Sequence, residues 1–345
     1  MNNERIERLQ TDLKEPFLLT GQANITYLTG FESSNAAVLV EHDRARLFAD
    51  ARYTEAGKAV PQVEFVETAR NLLADLAKRL QGRIAVEAEH LSYADFQTLA
   101  SDGLDLVPTR GVVENLRAVK DAHELAAISR ASAIADEALR AAVQETWSGR
   151  METDLARRLK ILVLELGGDD VAFDVIVGSG PNGARPHARP GDRIIEEGDL
   201  VVVDFGCLLN GYRSDCARTL EVGSLSPQLS EIVDVCLQAL EVALSTIVPG
   251  MSGIKADQVA RQVIEDAGYG ENFGHALGHG IGLDVHEAPN VSKISTDSLA
   301  EGQVVTIEPG IYLPDLGGVR IENLCVVSAN GLDSVTSLPT RITVG

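Results

Sequence analysis

Residues 200–222 have the sequence LVVVDFGCLLNGYRSDCARTLEV, in which two stretches typical of β-strands flank Asn210 and Gly211. Asn-Gly between two strand patterns is a strong signal for a two-residue β-hairpin turn. With the turn at these residues, the strand register makes Asp204 and Asp215 diagonal neighbours on one face of the hairpin. Diagonal side chains lie about 7 Å apart, so the two carboxylates are expected to be able to share bound cations.

The second half of the chain carries three more potential metal ligands in short, unusual contexts: His279 in HALGHGIGLDVHE, Glu308 in TIEPGIY and Glu322 in GVRIEN. A second hairpin, expected around LPDLGG at residues 313–318, brings Glu308 near Glu322. Singly, each acid has an ordinary explanation, such as a turn cap at Asp204 or an ion pair with a neighbouring arginine. Together they follow strands expected to be buried, where a carboxylate is costly unless it is paired or binds a cation. One imidazole and four carboxylates therefore predict an oxygen-rich two-metal site that prefers hard divalent ions.

Four of the seven histidines lie in glycine-rich or loop-like segments of the second half. They are His187, His275, His279 and His286. The last three are separated by glycines, so a strand or a bend, not a continuous helix, is expected to present them. A single histidine would by default be a core residue, but three so close together favour a role in lining a site.

Other catalytic motifs do not fit the sequence. His286-Glu287 lacks the second histidine of a helical zinc site, and GSGPNGARP lacks the ending of a phosphate-binding loop. No Gly-x-Ser-x-Gly elbow occurs, which disfavours a serine nucleophile.

Composition limits the partners of the chain. With 51 acidic against 30 basic residues, the formal net charge is −21, which opposes binding to nucleic acid. The four cysteines form no CxxC pair, which favours reduced, buried thiols in a cytoplasmic protein. No stretch approaches the length of a membrane span, so no membrane association is expected.

Short apolar strand patterns alternate with helical patterns up to about residue 110, which predicts an α/β layer structure. A capping-box pattern at Asp121 and Glu124 then opens a long helix. We therefore predict two domains, residues 1–115 and 116–345. The expected strands of the first are FLLT, NITYLTG, AAVLVEHD, ARLFAD, VEFVET, RIAVEAE and LDLVPT, and the other expected helices lie near residues 72–80, 93–99, 153–166, 227–247 and 254–267.

Six motifs follow one another in the second half: AFDVIVGSGPNGARPH, DLVVVDFG, GYRSDCART, HALGHGIGLDVHE, VVTIEPGIY and GVRIEN. In this order and spacing they resemble the pita-bread metallopeptidases, in particular the proline-directed branch of Xaa-Pro dipeptidases (prolidases) and Xaa-Pro aminopeptidases (aminopeptidase P). NITYLTGF, residues 50–53 and VENLRAVKDAHELAAI resemble a creatinase-type N-terminal domain and its junction. The resemblance implies an α+β protein, with a smaller α/β creatinase-type domain before a pita-bread catalytic domain.

The same resemblance implies a dinuclear metal centre, usually manganese or cobalt, with zinc as a further possibility. Its ligands are expected to be Asp204, Asp215, His279, Glu308 and Glu322, with Asp215 and Glu322 bridging both ions. The two metals would bind and deprotonate a water and stabilise the oxyanion at the scissile carbonyl.

Catalytic and substrate-binding roles follow from the resemblance in the same way. Glu308 is expected to accept a proton from the water, and His286 to assist at the proline nitrogen or the tetrahedral intermediate. His187 and His275 are expected to orient the substrate and shuttle protons, and Arg320 is included among the substrate-binding residues. Phe173 and Tyr212 are candidates for the wall of a proline pocket, and for each of them a plain core position is an equal alternative.

The expected substrates are Xaa-Pro dipeptides or short peptides with proline at the second position. An Xaa-Pro bond has no amide hydrogen, and its rigid ring fits a shaped apolar pocket. The dipeptidase is favoured over the aminopeptidase, and a nonenzymatic peptide- or protein-binding module on the same fold is the alternative from another class. Creatinase-like amidinohydrolysis and methionine aminopeptidase activity are disfavoured. A homodimer is expected by analogy.

Two positions depart from the family pattern. Ala217 and Asn323 stand where threonine and aspartate are usual. Ala217 removes a hydroxyl expected to support a metal ligand, so we expect an active enzyme with altered metal affinity. After His286-Glu287, residues 288–290 provide no arginine for a substrate carboxylate, which leaves the dipeptidase assignment less distinct.

Overall fold

In the computed structural model, which describes the backbone of residues 2–344 and the side chains from residue 4 onwards, the chain divides into two units between Arg117 and Ala118. The N-terminal unit contains helices α1 (Asn2–Asp12), α2 (Gln22–Thr29), α3 (Thr54–Lys58), α4 (Leu72–Arg79), α5 (Tyr93–Ala100) and α6 (Val112–Ala118). Its strands are β1 (Phe17–Leu19), β2 (Ala36–Val40), β3 (Ala45–Asp50), β4 (Glu64–Thr68), β5 (Arg83–Glu87) and β6 (Asp105–Thr109).

These six strands form one mixed sheet in the order β4-β3-β2-β1-β5-β6. The pairs β1–β2 and β2–β3 are antiparallel, and the remaining pairs are parallel. Leu18, Phe48 and Val86 of the sheet are buried in a core with Leu76 and Leu99 of the helices. The alternation of strand and helix patterns therefore predicted the layered character of this unit correctly.

NITYLTG was wrongly predicted to be a strand, because it lies within helix α2. Its β-branched residues suggested a strand, but long-range contacts decide the conformation. Buried Asn24 donates to Glu87 at 2.6 Å and to Glu114 at 2.5 Å, and it accepts a bond from Arg117 at 2.8 Å. Gly30 ends the helix in the left-handed region, with φ of 72°. A helix places Asn24 at the centre of this polar network.

The C-terminal unit contains four longer helices, α7 (Ala122–Ala142), α8 (Glu152–Glu165), α9 (Pro227–Thr246) and α10 (Gly253–Asp266). Its strands are β7 (Asp170–Val171), β8 (Ile176–Ser179), β9 (Leu200–Phe205), β10 (Cys207–Leu209), β11 (Tyr212–Arg213), β12 (Cys216–Val222), β13 (Gly278–Gly280), β14 (Glu287–Val291), β15 (Val304–Ile307), β16 (Gly310–Leu313), β17 (Gly317–Arg320), β18 (Asn323–Ser328), β19 (Gly331–Ser334) and β20 (Ile342–Val344). The capping box at Asp121 and Glu124 is present as predicted and opens α7.

Two helix pairs each cover a sheet of the C-terminal unit. Helices α7 and α8 pack against the sheet β20-β12-β9-β8, and α9 and α10 pack against strands of β14-β13-β15-β18-β19 and of the pair β16–β17. Both cores are rich in fully buried Leu, Val, Ile and Ala side chains. The helices therefore pack on one face of each sheet, and the opposite face can present polar functional side chains.

Both predicted hairpins are confirmed. Asn210 and Gly211 have positive φ values of 51° and 82°, as a two-residue hairpin turn requires, and Ala217 pairs with Asp204 in the ladder between β9 and β12. In the second hairpin, Gly310 pairs with Arg320. The registers of both hairpins are therefore those that the sequence indicated.

The four cysteines are free and buried. Burial raises the pKa of the Cys207 thiol to about 12 and that of the Cys325 thiol to about 12 as well, so both stay protonated and act as small apolar groups. Across the described residues, no helix is both long and apolar enough to cross a membrane.

Candidate metal centre and active site

Strand alternation aims the acidic residues of β9 and β12 away from the helices. In β9, Val203 and Phe205 are fully buried in the core under α7 and α8. Successive side chains of a strand point to opposite faces, so Asp204 between them faces the other side. Asp215 precedes Cys216, which belongs to the same core, and it shares the face of Asp204.

The second sheet presents its acids in the same manner. Ile307 and Ile321 are buried in the core under α9 and α10, and each is followed by an acid, Glu308 or Glu322. These two acids lie between ladders that pair Ile307 with Asn323 and Gly310 with Arg320, which places Glu308 opposite Glu322. Both carboxylates therefore point away from the core of their own sheet.

Asp204, Asp215 and Glu322 form a group that we call the carboxylate cluster. Each offers an oxygen, and these oxygens lie within 4.8 Å of one another. Asp204 Oδ1, Asp215 Oδ1 and Glu322 Oε1 are buried and have no hydrogen-bond partner among the described residues. Buried oxygens of this kind are costly without a donor or a cation. The donor set thus fits hard divalent ions bound by carboxylates.

His279 and Glu308 complete the expected ligand set at the edge of the cluster. His279 Nε2 lies 3.5 Å from Glu308 Oε1 and 3.7 Å from Asp215 Oδ2. Thr306 ties the two together, because its hydroxyl donates to Glu308 Oε1 at 3.1 Å and accepts from the His279 amide at 3.0 Å. The sequence analysis missed Thr306, although the period of two along VVTIE places it on the face of Glu308.

Arg320 connects the cluster to His275. Its guanidinium donates to Asp204 Oδ2, and at 2.6 Å to the hydroxyl of Tyr312. That hydroxyl lies 2.9 Å from His275 Nε2. Arg320 also donates to the carbonyl of Pro186, beside His187, at 3.0 Å. These hydrogen bonds hold Arg320 in place between the cluster and the histidines. Its role in substrate binding stays a prediction.

Tyr312 was missed by the sequence analysis, although it ends the quoted motif TIEPGIY. Its sequence signal is its place in the same short motif as Glu308, and an isolated tyrosine in an apolar stretch is often a core residue. Phe173 and Tyr212, the two residues proposed for the proline pocket, lie in different places. Phe173 lines the cavity described below, whereas Tyr212 contacts Glu124 through its hydroxyl and packs beside Ile128 in a small core.

The two arginines that flank Asp215 in the sequence bind elsewhere. Arg213 donates to the carbonyls of Ala172 and Leu283, and Arg218 donates to the carbonyls of Ala217 and Glu322. Arg218 also donates to Asn323 Oδ1 at 3.0 Å, so the asparagine at this position provides an acceptor but no charge.

One cavity of about 570 Å³ collects the predicted site residues. Its walls include every predicted ligand and catalytic histidine, together with Arg320 and Phe173. His279 and His286 contact each other across the wall, with ring centroids 4.4 Å apart. The histidines of HALGHGIGLDVHE lie on strand β13 and the adjoining bends, as the glycine spacing predicted. The roles of the individual side chains stay predictions.

Burial controls protonation in this cavity. Burial raises the pKa of Asp215 and of Glu322 well above the ordinary range, and neighbouring carboxylates add to the effect. Burial also raises the pKa of Glu308 to about 8. It lowers the pKa of His275 to about 4, so that imidazole is neutral at pH 7, and it also lowers the pKa of His286. Several adjacent anions can persist here only if cations compensate them.

Comparisons with known proteins agree with the fold and the cavity. The family profile "Metallopeptidase family M24" matches residues 126–329, and "Creatinase/Prolidase N-terminal domain" matches residues 5–119. The chain belongs to metallopeptidase family M24, with a creatinase-type N-terminal domain before the pita-bread catalytic domain, and it has the α+β fold that the resemblance implied.

Relatives match over nearly the whole chain. A Xaa-Pro dipeptidase of Pyrococcus furiosus is 35% identical over 341 residues, which cover 96% of this chain and 97% of the relative. The solved structure of a Xaa-Pro dipeptidase from Bacillus anthracis is 34% identical, with a TM-score of 0.96 and full coverage of both chains. That of an X-Pro aminopeptidase from Thermotoga maritima is also 34% identical, with a TM-score of 0.89 and coverage of 98% and 100%.

Proposed function

We propose that this protein is a Xaa-Pro dipeptidase that depends on two divalent cations, with manganese as the first choice and cobalt or zinc as alternatives. The observation that carries the proposal is the carboxylate cluster with its three unpartnered buried oxygens, next to His279 and Glu308. Full-length similarity to relatives named Xaa-Pro dipeptidases supports the substrate class.

In the proposed site, Asp204, Asp215, His279, Glu308 and Glu322 would hold the ions. When bound, the two cations would supply a nucleophilic water at neutral pH and stabilise negative charge at the scissile carbonyl. Glu308, oriented by the Thr306 hydroxyl, would accept the proton of the attacking water.

The histidines would act on the substrate around this centre. His275 is partly buried and neutral at pH 7, and its contact with the Tyr312 hydroxyl fixes its ring, which suits it to orient the substrate. His286 would assist at the proline nitrogen, and His187, which is exposed at the cavity wall, would complete the substrate contacts with Arg320. Phe173 would provide apolar surface for the proline ring.

A Xaa-Pro aminopeptidase acting on longer peptides is the second candidate. A further cavity of about 640 Å³ shares Phe173, Ile176 and His187 with the first, which provides room beyond the proline. Likeness to the structure named X-Pro aminopeptidase supports the same possibility. A peptide that continues past proline would occupy this second cavity.

The test measures peptide hydrolysis by protein that has been freed of metal with a chelator and then reconstituted with manganese. Substrates are a Xaa-Pro dipeptide, the matching Xaa-Ala dipeptide and a Xaa-Pro-Yaa tripeptide, and the Asp215→Ala variant is the blank. We expect manganese-dependent cleavage of the Xaa-Pro dipeptide only. A faster tripeptide reaction would replace the dipeptidase by the aminopeptidase. Absence of all cleavage in protein with two bound ions would favour the nonenzymatic binding module.

We also propose that the protein is a cytoplasmic homodimer. Its free, buried thiols are typical of a reducing compartment. The dimer rests on the family resemblance alone, and light scattering of the purified protein measures it directly.

A further inference from the structure

A buried ion pair lies in the cavity wall immediately beside His286. Lys120 Nζ is 3.0 Å from Glu287 Oε2, and the two side chains are 1% and 5% exposed. Lys120 precedes the capping box that opens α7, and its backbone amide donates to the Gly302 carbonyl at 2.9 Å. Glu287 is among the residues that line the cavity. The lysine therefore joins a backbone anchored to Gly302, just before strand β15, to the segment that carries His286.

Glu287 closes the bend on which His286 lies. Its Oε1 accepts the Asp284 amide at 3.0 Å, while its Oε2 is the atom paired with Lys120. The bend is tight, because the amide of Gly282 donates to the Asp284 carbonyl at 3.0 Å. A β-carbon at Gly282 would lie only 2.8 Å from the Glu287 carboxylate. The carboxylate thus sits inside the bend, with one oxygen for the backbone and one for the lysine.

His286 itself has little direct support. Its ring contacts the ring of His279, and among the described residues it forms no side-chain hydrogen bond. Its direction is therefore determined mainly by the backbone of residues 282–287. A displacement of about 1 Å at a catalytic group can reduce the rate about 100-fold.

Stability alone is a weak reason for this pair. A buried ion pair is often no more stabilising than an apolar pair of similar volume, because both charges lose their hydration. Separating the two partners, however, would leave each buried charge uncompensated, and this cost holds both side chains in one arrangement. Because the pair lies in the cavity wall next to His286, this fixed arrangement can determine where the imidazole points.

We propose that the Lys120–Glu287 pair is a positioning device for His286, holding the 282–287 bend so that the imidazole is directed into the cavity. Lys120 and Glu287 are positioning residues that act through His286, so the proposal rests on the proposed catalytic role of that histidine. The pair sets the geometry of the reaction and not the binding of metal.

The kinetic test uses Lys120→Met, Glu287→Gln and the double variant, each with and without His286→Ala. We expect Lys120→Met to lower kcat about 100-fold with KM nearly unchanged and with the manganese content of the wild type. The double variant, which buries no lone charge, should be as slow as the slower single variant, because the two residues act as a unit. Lys255→Met is the matched control, since Lys255 is exposed on α10 and lines neither cavity.

The decisive comparison is made in the His286→Ala background. If the pair acts through His286, Lys120→Met has no further effect on kcat there. An equal loss of kcat in both backgrounds, or an unchanged kcat in the wild-type background, would overturn the proposal. Melting temperatures ensure that every variant is assayed in its folded range.

A measurement without catalysis separates this proposal from the proposed function. The imidazole NMR signals of His286 are assigned by their loss in His286→Ala and compared between the wild type and Lys120→Met. We expect them to shift or broaden in Lys120→Met and to be unchanged in Lys255→Met. Identical signals in all three proteins would refute the positioning role, whether or not the wild type hydrolyses Xaa-Pro dipeptides.

Discussion

Position 217 tests whether one side chain supports Asp204 as a predicted metal ligand. Ala217 is fully buried and lies opposite Asp204 in the β9–β12 ladder, so both side chains share a face. Asp204 Oδ1 has no hydrogen-bond donor among the described residues. We expect Ala217→Thr to place a hydroxyl near this oxygen and to tighten manganese binding about 10-fold. Calorimetric titration of the metal-free protein measures the effect.

Ala217→Val is the control for this substitution, because valine has nearly the shape of threonine but no hydroxyl. It should leave manganese affinity unchanged or reduce it through crowding. Equal affinities of the threonine and valine variants would show that the hydroxyl does not support Asp204.

Single residues also show where sequence interpretation ends. Asp204 could be chosen because it follows the apolar run LVVV, and Asp215 because the Asn-Gly turn makes it a diagonal neighbour of Asp204. Tyr312, Thr306 and Lys120 are ordinary in their local sequence. Their relevance arises from partners far along the chain, such as Glu287, which is 167 positions from Lys120. Local patterns do not reveal such pairs.

Among the elements, the hairpin at Asn210 and Gly211 controls the register that aligns Asp204 with Asp215. Gly211 has φ of 82°, in the left-handed region. We expect Gly211→Val to cost about 1–3 kcal/mol of unfolding free energy, because a β-branched residue is strained there. Gly211→Asn, which tolerates this conformation, should cost less. Urea unfolding of both variants makes the comparison, and equal losses would contradict the strain argument.

Elements with their own local signals were predicted well, whereas α2 was not. The capping box of α7 and the Asn-Gly turn both act over a few residues, so the sequence contains the whole signal. Helix α2 depends on Asn24, whose partners Glu87 and Glu114 lie 63 and 90 positions away. A polar network of that range overrides the strand preference of Ile25 and Thr26.

At the scale of the whole molecule, each unit has its own core, and the predicted metal ligands all lie in the C-terminal unit. The single tryptophan, Trp147, is fully buried in that unit. We expect manganese at 100 times the Kd of each site to add about 2.7 kcal/mol per bound ion to the unfolding transition that Trp147 fluorescence reports. The Asp215→Asn variant should abolish this shift. A fluorescence transition insensitive to manganese would contradict the assignment of the ligands.

The N-terminal unit should show its own dependence on acid. Burial alone would raise the pKa of Glu114, but hydrogen bonds with His90 and Asn24 outweigh it and lower the pKa to about 2. A depressed pKa contributes stability that is complete above the unfolded value of 4.5 and is lost as pH falls towards 2. Glu114→Gln should therefore destabilise the unit at pH 7 by on the order of 1–3 kcal/mol, and its stability should change less between pH 4.5 and pH 2.

Circular dichroism follows this acid transition, and Trp147 fluorescence provides the comparison, because it reports the other unit. Glu89→Gln is the matched control, since Glu89 is an exposed neighbour of His90. If Glu89→Gln and Glu114→Gln had the same acid profile, the hydrogen bonds of Glu114 would not be the cause.

The alternation of core and site residues along the same strands limits how this chain can change in length. Val203 and Asp204, Ile307 and Glu308, and Ile321 and Glu322 are adjacent pairs with opposite directions. Inserting or deleting one residue within β9, β15 or β17 would turn the carboxylate into the apolar core and the aliphatic side chain into the cavity. A single insertion or deletion of this kind would remove an aliphatic side chain from the core and a carboxylate from the cavity at the same time. Length variation is therefore expected in loops outside these strands, and not at the two hairpin turns near residues 210–211 and 314–316, whose length sets the register of the strands.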